Sequence, residues 1–167
     1  MGGVVDKTAR DAAAGDRRDF ELDRFLPYRL TVLASVTAQA LSQIYAGHNI
    51  GIPEWRILVT LGEHGAMTGK AVGRHTHMHK TKVSRAVASL EKRRLVARQT
   101  NRDDLREAFL SLTPAGRAVY GDLVPKAVEF ANRLLTAVDP ADRAALERAL
   151  TVLTARCTEL ANPRGRG

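Results

Sequence analysis

Apolar positions along this chain recur at helical spacing almost throughout, with one alternating stretch near the middle. From about Pro27 to about Ala46, the residues Leu30, Leu33, Ala34, Thr37, Leu41 and Ile44 fall near one face. Pro27 suits a first helical turn, and Gly47 and Gly51 close the helix. Pro53 opens a second helix, from Glu54 to about Glu63, with Trp55, Leu58, Val59 and Leu61 apolar and His64-Gly65 as its end. Thr68 is placed to cap a short helix, Gly69–His75, which turns Ala71 and Val72 inward. After a turn around Thr76–Met78, a further helix runs from about Lys80 to Arg93. Leu95–Thr100 and Glu107–Leu112 then read as two strands around a polar tip, Asn101–Leu105, with Ala108, Leu110 and Leu112 alternating. Thr113-Pro114 and Asp139-Pro140 each give the cap-then-proline signal of a helix start, the first helix reaching about Val138 and the second Leu160. Pro125 falls inside the first of these and is expected to kink it. The last helix spaces Leu146, Leu150, Leu153, Cys157 and Leu160 along one stripe.

The expected fold is therefore mainly α with a small β-hairpin wing: a winged helix-turn-helix plus a helical dimerisation lobe. Residues 1–22 read as a flexible arm, 23–50 as an N-terminal dimerisation helix and 51–113 as the winged lobe. Residues 114–161 read as C-terminal dimerisation helices and 162–167 as a flexible tail rich in Gly and Arg. The first and last helices carry more apolar surface than a lobe this small can cover, which points to a second copy of the chain.

The wheel of the helix from Lys80 separates cleanly. Val83, Ala86, Val87 and Leu90 share the inward face, while Thr81, Arg85, Ala88 and Lys92 point the opposite way and Lys82, Ser84 and Ser89 flank them. Charge sharpens this picture. Residues 68–106 hold eleven Lys and Arg against three acids, an excess equal to the whole net charge of +8, so the rest of the chain is neutral. A basic excess confined to a shaped segment is the footprint of a polyanion, and duplex DNA is the expected partner. A helix with small outer residues can enter the ~12 Å major groove, where Arg85 would contact guanine O6 and N7 bidentately. Lys80, Thr81, Lys82 and Ser84 suit phosphates near the helix N-terminus, with Thr68 at the head of the preceding helix. Arg98, Arg102 and Arg106 lie on or beside the hairpin, where an arginine can enter a narrowed minor groove, and Asp104 can orient Arg106. The DNA-facing set is thus Thr68, Lys80, Thr81, Lys82, Ser84, Arg85, Arg102, Asp104 and Arg106.

Other chemistry is thinly represented. At 44% apolar and 26% charged residues, the composition is that of a soluble globular chain. No apolar run reaches the ~18–20 residues that cross a bilayer, so no membrane partner is expected. The first residues lack the apolar core of a signal peptide, and the expected location is the cytoplasm. Cys157 is the single cysteine and reads as a packed, inert thiol on the last helix. His75, His77 and His79 alternate at a turn without a thiol or carboxylate beside them, and read as a polar turn near DNA rather than a zinc site. No phosphate-cradling loop or nucleophile–base spacing is present, so neither catalytic residues nor a metal nor a cofactor is expected. The alternative to a sequence-specific regulator is an architectural protein that coats DNA without preference.

Three segments resemble the MarR family of winged helix-turn-helix transcription regulators. They are Lys80-Thr81-Lys82-Val83-Ser84-Arg85-Ala86-Val87 followed by Leu90-Glu91; Asp104-Leu105-Arg106 through Leu112-Thr113 to Gly116, which is similar to the family's D-x-R…L-T-x-x-G wing signature; and Pro53-Glu54-Trp55-Arg56-Ile57-Leu58. The resemblance implies a homodimer whose N- and C-terminal helices interlock, a palindromic operator, and repression relieved by a small-molecule effector. It implies a ligand crevice between dimer helices and winged lobe, for which Tyr28, Arg29, His48 and Trp55 are the polar or aromatic candidates, and aromatic acids, phenols or acyl-CoA thioesters as ligand classes. Two positions depart from the family pattern. His79 stands where an Asp N-cap is usual, and Arg94 where Gly is usual; a left-handed Arg94 would cost about 1 kcal/mol relative to Gly.

Overall fold

The computed structural model describes residues 20–100 and 108–161, in two compact units, residues 1–40 and 41–167. The expected N-terminal arm lies outside the described residues up to position 19, as do the wing tip at 101–107 and the tail at 162–167.

In the first unit a 3-10 turn, Leu22–Arg24, precedes helix α1, Leu26–Tyr45, which continues into the second unit. The Phe20 and Phe25 rings pack 5.2 Å apart across the turn, and the Thr31 and Ser35 hydroxyls donate to carbonyls one helical turn back. Leu33 and Val36 on this stretch are more than half exposed.

The second unit holds the core. A 3-10 turn, Ala46–His48, ends at Asn49 in the left-handed conformation (φ 51°). Helix α2, Ile52–His64, follows with Pro53 in its first turn, and Gly65 at φ 77° stops it with its N–H on the Leu61 carbonyl. A two-residue strand β1, Met67–Thr68, leads into α3, Gly69–Thr76. Thr68 caps α3, its hydroxyl accepting from the Ala71 N–H at 3.2 Å. Helix α4, Lys80–Lys92, buries Val83, Ala86, Val87 and Leu90, the four residues that its wheel turns inward. Strands β2, Val96–Thr100, and β3, Ala108–Leu112, pair antiparallel from Val96↔Leu112 to Thr100↔Ala108. The hairpin is not alone: β1 pairs with the other edge of β3, Met67 opposite Leu110, giving the order β1-β3-β2. That third strand, absent from the sequence reading, ties the start of α3 to the wing.

Helix α5, Pro114–Leu135, contains Pro125, and α6 spans Pro140–Ala161. The start of α5 explains two residues of the wing signature. Thr113 accepts from the Gly116 N–H at 3.0 Å and donates its hydroxyl to the Arg94 carbonyl at 2.6 Å. Gly116 has to be glycine because a Cβ there would lie 2.0 Å from the Leu95 carbonyl oxygen. The core runs from Tyr45 through Trp55, Leu58, Val72, Val87 and Leu90 to Leu110, Leu112 and Leu123. Each fully buried side chain of this kind contributes ~1.5–3 kcal/mol of transfer free energy. Helix α6 buries none of its residues. Cys157 is correspondingly exposed, so the packing expected of its thiol is not supplied within the single chain, where Leu146, Leu150 and Leu160 of the same stripe are exposed with it.

Candidate nucleic-acid interface

The site is organised around α4. Its four inward residues are at most 4% exposed, so the helix cannot rotate without uncovering core. The outward side chains Lys80, Thr81, Lys82, Ser84 and Arg85 are all exposed in consequence. The helix begins at His79, whose Nδ1 accepts from the Thr81 N–H at 3.4 Å. An imidazole therefore supplies the cap that a carboxylate would make more tightly, without placing a negative charge beside the exposed Lys80 and Lys82. The turn after the helix has Arg94 at φ 58°, the left-handed conformation that the departure from Gly raised.

His79, Thr81, Lys82, Arg85 and Ala86 line a groove of about 440 Å³, whose far wall is Pro53 and Glu54 at the start of α2. The two α2 residues are part of this surface that the helix wheel of α4 alone could not supply. No ion pair or hydrogen bond engages the side chains of Lys80, Lys82 or Arg85 among the described residues, which leaves their charges available to a ligand. The Thr68 hydroxyl, by contrast, already works as a cap, though its own proton remains free to donate.

Other arginines of the basic segment are committed within the fold. Arg98 on β2 makes a two-pronged contact with Glu91 of α4, 3.0 and 3.1 Å, which raises the guanidinium's pKa above its ordinary value. It therefore braces the strand against the helix and is not a free wing cation as the charge pattern suggested. Arg93 donates to the carbonyls of His48 and Asn49. Sequence spacing gives no signal for either contact. Arg102, Asp104 and Arg106 lie outside the described residues.

The expected ligand residues are distributed differently. Tyr28 and Arg29 stand exposed on α1 in the first unit. His48 is half-buried and its ring meets Asp122 Oδ2 at 2.9 Å. Trp55 is core, stacked on Tyr45 with centroids 5.2 Å apart and planes 14° from parallel. The Tyr45 hydroxyl is buried with no hydrogen-bond partner among the described residues, and burial pushes its pKa up against the pull of Arg56. Of the three alternating histidines, His77 takes the left-handed cap of α3, His79 caps α4, and the His75 ring lies 4.7 Å from that of His64. Among the described residues no group of three or more His, Cys, Asp or Glu is arranged to hold a metal ion, and no helix is long and apolar enough to cross a membrane.

Comparison with known proteins matches residues 48–107 to the sequence profile of the MarR family. No match to a curated protein was found. Among solved structures, a probable transcriptional regulator from Pseudomonas aeruginosa is 31% identical, with 80% of this chain and 99% of that one aligned at a TM-score of 0.70. BpsR from Bordetella bronchiseptica, whose DNA binding is regulated by 6-hydroxynicotinic acid, aligns at 23% identity over 75% of this chain and 98% of its own, TM-score 0.64. NadR, solved in complex with 4-hydroxyphenylacetate, aligns at 22% identity over 74% and 88%, TM-score 0.65. At these identities the last two show likeness of fold.

Proposed function

Because the chain belongs to the MarR family of transcriptional regulators, we propose that it is a homodimeric repressor that reads a palindromic operator and releases it when a small effector binds. The observation that carries this reading is α4, clamped by a buried face and presenting the unpaired Arg85, Lys80 and Lys82 with Thr81 and Ser84 beside them. In each half-site Arg85 reads base edges in the major groove while the lysines and hydroxyls fix register on phosphates. Arg102, Asp104 and Arg106 are assigned to the adjacent minor groove. Two copies place their helices one DNA turn apart, ~34 Å, and an effector that prefers a different spacing by a few kcal/mol releases the operator.

The partner copy is supported by Leu146, Leu150 and Leu160, all exposed on α6. The effector is supported by NadR and BpsR, which share the fold and whose ligands, 4-hydroxyphenylacetate and 6-hydroxynicotinic acid, are aromatic acids. An aromatic acid, phenol or acyl thioester remains the assigned class of effector. Neither catalysis nor a cofactor enters this scheme, and it places the protein in the cytoplasm.

Binding-site selection on DNA upstream of its own gene tests the proposal. A palindrome should win over random duplex by ~10³-fold or more; equal affinity would identify an architectural coat instead. Arg85→Ala should lose ~1–3 kcal/mol on the selected site and relax its base preference, and an equal loss on random DNA would refute base reading by that residue.

A further inference from the structure

Arg93, the first residue past α4, is held by backbone: its guanidinium donates to the Asn49 carbonyl at 2.9 Å and to the His48 carbonyl. Those carbonyls belong to the turn between α1 and α2, where Asn49 sits in the left-handed conformation. The same His48 uses its ring to reach Asp122 on α5 at 2.9 Å. Asp122 in turn receives Lys126 Nζ on both oxygens at 2.8 Å, and these two partners, Lys126 first, hold its carboxyl below the ordinary carboxylate range. Among the described residues, no bond joins Arg93 directly to Asp122. His48 is the residue that touches both, through its carbonyl on one side and its imidazole on the other.

We propose that His48 is a positioning residue which couples α5 to the reading helix, so that a displacement of α5 at Asp122 is delivered to Arg93 and shifts the end of α4. The inference rests on the DNA-binding reading of α4. It adds a mechanical route from a helix outside the DNA surface to that surface, and it gives His48 a role other than ligand contact. The exposure of the pair argues for positioning over stability. The His48 and Asp122 side chains are 35% and 45% exposed, and ion pairs in such surroundings add little to folding. A carbonyl that moves with the imidazole, however, changes the geometry of two hydrogen bonds to a charged donor. Such bonds are the stronger and more directional kind.

Two measurements on the full chain test this. In amide NMR spectra of the free protein, Asp122→Asn should shift the signals of Asn49, Arg93 and Arg94, and in a His48→Ala background it should shift none of them further. In operator binding, Asp122→Ala and Arg93→Gln should each weaken affinity about threefold or more, and the double variant should fall well short of the product of the two losses. His48→Gln, whose amide can still donate to Asp122, should recover most of the affinity that His48→Ala loses, with the melting temperature nearly constant across the set. If Arg93→Gln fails to fold, Arg93→Lys takes its place in the cycle. Losses that multiply, or an Asp122→Ala chain that binds as well as wild type, would overturn the coupling. The spectra need no DNA, so a chain that bound no operator while its amides shifted as described would sink the regulator reading and leave the coupling standing.

Discussion

The winged lobe and the last helix use similar residues to opposite ends. Among the described residues, every buried apolar side chain lies between Tyr45 and Leu123, whereas the 22 residues of α6 bury none. Leu90 on α4 is wholly covered and Leu150 on α6 is 45% exposed, although both occupy apolar stripes at the same helical spacing. Periodicity states which face a helix must hide but not what hides it. For α4 the cover is α2, α3 and the sheet of the same chain; for α6 the proposed dimer places it on a second copy.

The sharpest way to break that contrast is Leu90→Ala. A residue with 0% exposure should cost ~2–5 kcal/mol in denaturant unfolding, because the transfer term and the cavity add. An effect below about 1 kcal/mol would mean that the lobe is less tightly packed than its burial implies. Gly116→Ala probes the same lobe at its most crowded backbone contact, since the added Cβ would approach the Leu95 carbonyl oxygen to 2.0 Å. Backbone must move, and a loss of ~1–3 kcal/mol is expected in the same assay. On the other side of the comparison, Leu150→Asp should leave the lobe's unfolding intact while weakening self-association by about tenfold or more, ~1.4 kcal/mol, in sedimentation. A chain that is monomeric before the substitution would remove the dimer from the proposal.

How far the sequence was legible follows the same division. The inward face of α4, the Thr68 and Thr113 caps and the run of helices all arise from residues a few positions apart, where periodicity and capping chemistry act. The two-residue strand β1 is too short to alternate, and only its pairing with Leu110 and Phe109 makes it a strand. The partners of three basic residues were also illegible. Arg98 reaches Glu91 across a turn, Arg93 reaches carbonyls 44 and 45 positions back, and His48 meets a carboxylate 74 positions on. Charge counting sees both arginines as available cations; the fold sorts Arg93 and Arg98 into braces and leaves Lys80, Lys82 and Arg85 outward. Cys157 shows the converse limit, since its stripe predicted burial that a single chain does not provide.

A smaller effect separates conformational from packing costs within the lobe. Arg94 holds φ 58° with no side-chain need for it, so Arg94→Gly should gain about 1 kcal/mol of stability, read as a raised melting temperature. The same substitution removes a cation close to α4, the helix proposed to read DNA. If Arg94 touches phosphate, operator affinity will fall and the salt slope will flatten by about one even as stability rises. The two readouts moving in opposite directions would account for the tolerance of arginine at a glycine position.

The smallest expected change lies at the junction of the lobe with its long helices. Asp122 has its carboxyl pKa lowered in the fold, by Lys126 first and His48 second, below the ordinary value of 3.8. The sign follows directly. A depressed carboxylate contributes stability that is fully present above the unfolded value and is lost as pH falls through the folded one. The melting temperature of wild type should therefore exceed that of Asp122→Asn slightly at about pH 7 and converge on it as pH falls through the folded value. Divergence on the acid side would mean that the carboxylate is strained by its partners rather than held by them. The surface position of the pair keeps the difference small, which suits a contact whose proposed use is to transmit position rather than to hold the fold together.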